Sequence, residues 1–239
     1  MKKLIAVLLV GIMVFGLAGC GSNDAPPDIT PDHNTQAPVT VEPSDPPAQG
    51  NSDGVTQSED DVLSKIVVEA KPTLDGEVCV FITNTSEAVV DELDVQVNYK
   101  DADGKIIDLD EDGHDMILPG YTVVSKMDAP DEYADFEATV DIELGVNPRY
   151  KNHSDDVSIS SNQGDECIIV EITNNSDISI DEIEYVVVLY KGEDIVSVCY
   201  PNDITDVAAG KTVIEKESTY GDEYDKFEVY LNQAHTFGF

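Results

Sequence analysis

Between Asp108 and Gly113 the chain reads Asp-Leu-Asp-Glu-Asp-Gly, a D-x-D-x-D-G run of the type that wraps calcium. Carboxylates at alternate positions can converge on one hard cation, and glycine permits the sharp turn such a loop needs. Asp108, Asp110 and Asp112 are the candidate ligands. A complete EF-hand loop carries a bidentate Glu at its twelfth position, which here is Pro119, and no flanking helices are evident. Seven carboxylates and one lysine, Lys105, lie between Asp101 and Asp115, so the segment attracts cations. The alternative reading is a solvated acidic loop.

Other chemistry-bearing residues are dispersed. The four histidines, His33, His114, His153 and His235, are too far apart in sequence to suggest a zinc site. There is no H-E-x-x-H, no G-x-S-x-G and no phosphate-cradling glycine loop. An envelope hydrolase therefore has no motif to stand on, and the chain is read as a non-enzyme that requires no cofactor. Arg149 is the only arginine, which argues against clamps for phosphate or carboxylate ligands. Apart from Cys20, the cysteines are Cys79, Cys167 and Cys199, an odd number that cannot close a disulfide framework. In an oxidising compartment Cys167 and Cys199 are the candidate bridge; otherwise all three are small buried hydrophobes.

Charge narrows the partners. The 49 acidic residues against 13 Lys and Arg give a formal net charge of -36. A polyanion cannot neutralise phosphates, so nucleic acid is not a partner, and anionic surfaces repel it. Cations, basic proteins or uncharged surfaces remain.

The elements that position these residues are set by a duplication. VFITNTSEAVVDELDVQV at 80–97 is answered by VEITNNSDISIDEIEYVV at 170–187, and DEYADFE at 131–137 returns as DEYDKFE at 222–228. A unit of about ninety residues used twice implies two domains. Within each unit alternate residues are apolar: Val78, Val80 and Ile82, then Leu93, Val95, Val97 and Tyr99, with Asp94, Gln96 and Asn98 on the other phase. The second unit keeps that phase in Ile183, Tyr185, Val187 and Leu189. Its intervening residues are more apolar, which suggests covering by a neighbour or a better-buried strand.

Strands are expected near 65–71, 77–84, 90–100, 105–109, 121–127 and 135–144, and correspondingly in the second unit. Asp75-Gly76, Asp103-Gly104, Pro119-Gly120 and Ala209-Gly210 supply turns between them. The fold class is all-β: two tandem antiparallel β-sandwiches, at 63–146 and 147–239. Tyr133 and Phe136, with Tyr224 and Phe227, read as plugs of the two cores; a contact surface for a partner is the alternative.

The amino terminus differs in kind. Lys2 and Lys3 precede an apolar run from Leu4 to Leu17, too short for a confident membrane span, so 1–19 reads as a secretory signal. Residues 20–62 hold seven of the twelve prolines among Ser, Asn, Asp and Thr, a composition that reads as a disordered tether. It would reach from roughly 35 Å as a coil to about 120 Å if fully extended.

Two family resemblances add to this. Leu17-Ala18-Gly19-Cys20 resembles the lipobox of bacterial lipoproteins, which implies cleavage before Cys20, acyl chains of the palmitate type on it, and anchoring at the extracytoplasmic face of the cell membrane. Asn84 to Ser86, Tyr99, Asp101 to Lys105 and Pro119 to Thr122 look like the FxLYD-type immunoglobulin-like domain of such lipoproteins. Asn174 to Ser176, Leu189-Tyr190 and Gly210 to Thr212 match in the second copy, while Lys100 and Lys191 stand where that signature has Asp. The expectation is a membrane-anchored lipoprotein serving as a non-catalytic binding, adhesion or scaffold module, its protein or envelope partner unspecified. The alternative is a calcium-responsive surface module.

Overall fold

Alternating apolar residues generate the strands, and turn residues cut them to length. The computed structural model describes residues 57–145, 149–200 and 203–238. The expected signal at 1–19, the lipid-bearing Cys20 and the tether as far as residue 56 lie outside them. Among the described residues no helix is long and apolar enough to cross a membrane.

In the first unit the strands are β1 (Ile66–Pro72), β2 (Val78–Asn84), β3 (Val90–Lys100), β4 (Ile106–Ile117), β5 (Thr122–Met127) and β6 (Asp135–Glu143). All lie close to the expected positions except that β4 runs eight residues past 109. The second unit contains β7 (Tyr150–Asn152), β8 (Val157–Gln163), β9 (Cys167–Asn174), β10 (Ile180–Lys191), β11 (Asp194–Cys199), β12 (Ile204–Val207), β13 (Thr212–Ser218) and β14 (Lys226–Phe237). One element has no counterpart in the periodicity. Helix α1 (Glu59–Leu63) is only five residues long, capped by Ser58, whose side chain accepts from the Asp61 N–H at 3.2 Å. Three acids in its first turn suit the positive end of a helix. Val62 is fully buried in the first core, so structure begins before residue 63, inside the segment read as tether.

The architecture is all-β. Sheets β1-β2-β5 and β4-β3-β6 face each other across the first core; β13-β9-β8 and β11-β10-β14-β7, with β12 also on β10, enclose the second. All the ladders between these strands are antiparallel. Tyr133 and Phe136 pack on the first core and Tyr224 and Phe227 on the second, each pair edge to face, which makes the repeated DEYxxFE a core plug.

The repeated Asn-x-Ser loop acts as a polar rivet. Asn84 donates to the Ala88 and Ile117 carbonyls at 2.8 and 3.0 Å, while its oxygen accepts from the Ser86 N–H and hydroxyl at 3.0 and 2.6 Å. Asn174 repeats the pattern with Ile178, Val207 and Ser176. Both asparagines have zero exposure, so each amide satisfies backbone groups that would otherwise be buried without partners.

A third apolar cluster lies between the two sandwiches. One phase of β10, Ile183, Tyr185, Val187 and Leu189, enters its own core. The other phase, Val186 and Val188, packs with Ile195 and Val198 against Cys79 and Val124 on the outer face of β2 and β5. All six are at most 3% exposed, and burying each aliphatic side chain stabilises by about 1.5–3 kcal/mol. Phe81 meets Tyr230 edge to face at 5.6 Å along the rim. The extra apolarity of β10 is thus accounted for by a neighbour: the other half of the duplication. The four sheets stack in one compact body.

Asn84→Ala or Asn174→Ala should each cost roughly 2–4 kcal/mol, because several backbone groups lose a buried hydrogen-bond partner. Urea denaturation of each variant, read by near-UV dichroism, measures this. A loss below about 1 kcal/mol would show the amide to be dispensable.

Candidate functional site

The acidic run does not form a loop. Asp108, Asp110 and Asp112 lie within β4, opposite Tyr99, Val97 and Val95 of β3, and His114 follows opposite Leu93. Residues directly opposed in an antiparallel ladder share a face, so these acids occupy the core-facing phase of an edge strand. The apolar face of β3 and the burial of His114 and Ile117 at the far end draw the acids into the ladder. Same-face neighbours on a strand are about 6.7 Å apart, and the outer two of three about 13 Å, whereas calcium takes its oxygens at about 2.4 Å. Extended geometry therefore keeps the three carboxylates from meeting on one ion. No group of three or more His, Cys, Asp or Glu among the described residues is arranged to hold a metal.

Asp110 is instead tied across the end of the sandwich, its Oδ2 accepting from the Asp128 N–H at 2.7 Å. On the Asp128 side of that bond lies an acidic hollow of about 460 Å³ lined by Asp75, Glu77, Asp128, Asp131 and Tyr133 with adjoining loop residues. Lys126 pairs with Glu77 Oε1 at 2.9 Å. Glu77 Oε2 is buried without a partner, as is the hydroxyl of the fully buried Tyr99, whose ring stands 5.3 Å from that of Tyr133. Burial, followed by the charges of Asp110, Tyr133, Asp128 and Asp108, holds the Tyr99 phenol well above its usual range. Sequence alone points to the acids but gives no sign of the unpartnered hydroxyl, since Tyr at a core position of a strand is unremarkable.

His114 makes one contact that the sequence conceals. Its Nε2 lies 2.7 Å from Ser125 Oγ and 3.8 Å from Asp112 Oδ2. Serine, histidine and aspartate together bring nucleophilic catalysis to mind, but both contacts converge on one ring nitrogen and Ser125 has zero exposure. The group is a polar strut between β4 and β5. Burial pushes the imidazole pKa down against the pull of Asp112.

The seam between the sandwiches concentrates the remaining polar chemistry. Strand β5 is the edge of its sheet, and the outward-facing N–H and C=O of its buried Val124 are met by side chains of the second unit. Asn232 Oδ1 accepts from the Val124 N–H at 2.9 Å and Asn232 Nδ2 donates to its carbonyl at 3.0 Å, as a neighbouring strand would. Tyr200 donates to the same carbonyl at 3.0 Å and accepts from the Lys126 N–H at 3.1 Å. Asn232 also donates to Glu184 at 2.8 Å. Burial raises the Glu184 pKa, with Asp203, Asp112 and Glu182 adding to the rise and the Asn232 bond opposing it. Close by, His235 is 5% exposed, its Nε2 unpartnered and 3.7 Å from Glu182 Oε2. Burial lowers its pKa, while Glu182, Asp115, Asp181 and Asp203 pull the other way.

The three described cysteines are free thiols. Cys199 faces the second core, whereas Cys167 occupies the phase of β9 opposite the buried Ile168, Val170 and Ile172, so no Cys167–Cys199 bridge is formed. Cys79 lies in the seam. Burial pushes the Cys79 thiol up to about 12 and that of Cys199 up to about 11, which leaves both unreactive near neutrality.

Comparison of the sequence with models of protein families finds no match, and comparison with curated proteins finds none either.

Two measurements check this geometry. The melting midpoint in millimolar calcium should equal that in the same concentration of magnesium, because the strand offers only screening to either ion; a rise peculiar to calcium would show that the carboxylates do converge. His114 and His235 are held neutral in the fold, and the unfolded chain binds more protons once pH drops below the unperturbed 6.5. Each therefore removes stability as pH falls from there, by up to about 1.4 kcal/mol per unit, until the folded histidine itself protonates. His235→Gln should give a shallower slope between pH 6.5 and 5 in urea titrations; an unchanged slope would remove His235 from this role.

Proposed function

We propose that the chain is a lipid-anchored lipoprotein at the extracytoplasmic face of the cell membrane, where its two sandwiches act as a non-catalytic binding, adhesion or scaffold module. The lipobox-like Leu17-Ala18-Gly19-Cys20 supports the anchor, and the FxLYD-like residues support membership of a class of extracytoplasmic interaction domains. One structural observation favours a presenting role: the seam of Cys79, Val124, Val186, Val188, Ile195 and Val198 makes the two modules a single body, which a tether can hold away from a surface in a fixed shape. The polyanionic charge suits a body that stands clear of anionic lipid and of neighbouring copies.

Cell fractionation tests the anchor. The full chain should sediment with membranes and be released by detergent and not by high salt, because acyl chains rather than charges hold it. Cys20→Ser should move it to the soluble fraction or to an uncleaved precursor and abolish incorporation of labelled palmitate. Salt-sensitive attachment, or label retained in Cys20→Ser, would overturn the reading.

A further inference from the structure

One free edge of the second sandwich lacks the protection that the other edges carry. Strand β8, Val157-Ser158-Ile159-Ser160-Ser161-Asn162-Gln163, borders the β13-β9-β8 sheet and contains no charged residue and no proline. Every other edge strand of the described residues holds at least one charge, as Lys126 in β5, Glu215 in β13 and the acids of β4 and β6 illustrate. The duplication shows what is missing. Ile66 stands opposite Asn84 and Val157 opposite Asn174, so β1 and β8 are copies of one edge. Where β1 has Glu69, Lys71 and Pro72, β8 has Ser160, Asn162 and Gln163. Charge and proline are the devices that keep another strand from adding itself to an edge, and β8 has neutral side chains at all three places.

The backbone of that edge is regular and open. The β8–β9 ladder runs from Val157 to Gln163 without a register shift. Asn175 N–H donates to the Asp156 carbonyl at 2.7 Å at one end, and Gly164 N–H to the Cys167 carbonyl at 2.8 Å at the other. Bonded residues alternate along an antiparallel ladder, so the even-numbered residues of β8 bond to β9. Val157, Ile159, Ser161 and Gln163 therefore turn N–H and C=O outward. Among the described residues no backbone group bonds to them from the open side. Charge decides the occupant. A basic partner is drawn to the acidic edges β4 and β6 in preference to a neutral one. Another copy of this polyanion, with a formal net charge of -36, can pair only where neither strand carries acid, because like charges directly opposed in a ladder repel.

We infer that β8 pairs antiparallel with β8 of a second copy about a two-fold axis at Ser160, joining two three-stranded sheets into one. Ile159 then exchanges both backbone bonds with the partner's Ser161, and Val157 with the partner's Gln163, so every outward N–H meets a C=O. The exposed side chains match as well: Ser160 faces the partner's Ser160, and Ser158 the partner's Asn162. The nearest acid on that face is Glu171 of β9, 3.4 Å from Ser160 Oγ. Three strand spacings hold it about 14 Å from its counterpart, beyond the Debye length of about 8 Å at physiological salt. Just past the ends Asp155 comes level with the partner's Asp165, so the pairing tightens as salt screens them. The charge that keeps copies apart elsewhere thus confines their contact to this strip. The inference goes beyond the lipid anchor and does not depend on it.

Sedimentation equilibrium of the purified full-length chain tests it. A monomer–dimer equilibrium with Kd below about 100 μM is expected in about 0.5 M sodium chloride, weakening at least about threefold in about 0.05 M. Ser161→Pro removes an outward N–H and no bond of the fold, and Ser160→Lys sets like charges face to face. Each should weaken the dimer by about tenfold or more. Mild oxidation should cross-link Ser160→Cys between copies, since the two Cα atoms lie about 4.5 Å apart. Ser158→Cys, about 14 Å from its counterpart along the strand, should stay at the background set by the parent chain and its free thiols. A chain that remains monomeric at about 500 μM, association that weakens as salt rises or survives both substitutions, or equal cross-linking at 158 and 160 would overturn the inference.

Discussion

The apolar layer between the sandwiches is the contact on which the rest of the body depends. Without it, Val186, Val188, Ile195 and Val198 would line the outer face of the second unit, and Cys79 and Val124 that of the first, each set open to water. Neither face could stand alone without inviting association, since contiguous exposed apolar area is what sticks proteins together. The layer also sets the polar chemistry beside it. Asn232 and Tyr200 can complete the edge of β5 only because the apolar contact brings them within hydrogen-bonding reach. Charges of the first module also reach Glu184 and His235 across the seam, from Asp112 and Asp115 respectively.

Much of the fold is legible in the sequence because the duplication states it twice. Val80, Ile82, Val95 and Val97 in one copy and Val170, Ile172, Tyr185 and Val187 in the other fix the inward phase, and the strands follow. Even the covered face of β10 shows, since valines replace the Gln96 and Asn98 of the first copy. What covers it does not show, because β2 and β5 present only Cys79, Phe81 and Val124, residues that read equally well as ordinary strand. Helix α1 is hidden for a simpler reason: five residues are too few to display a period.

The candidate site was legible only in part. Asp, Gly and Glu in a row suggest a loop by composition, yet pairing with the long β3 overrides that local preference and stretches the run into a strand. The same acids then serve as inward-pointing charges on an edge, a device that discourages another chain from adding itself to the sheet. The three described histidines, far apart in sequence, are all buried, and their roles depend on pairings between strands that no local pattern encodes. The two orphaned atoms, on Tyr99 and Glu77, are likewise properties of packing alone.

The two modules meet through unlike surfaces: the β1-β2-β5 sheet of one against the β10-bearing sheet of the other. A joint between non-equivalent faces of a repeated unit has no symmetry to close it, and in principle it propagates into a fibre. Here both growing ends are blunted. Where the docking face of the second unit has Val186, Val188 and Tyr190, the free face of the first has Gln96, Asn98 and Lys100. Where the first docks with Phe81, the second carries Glu171. A third module joining in the same way would meet Gln96, Asn98 and Lys100 on one free face, or Glu171 between Ile169 and Ile214 on the other.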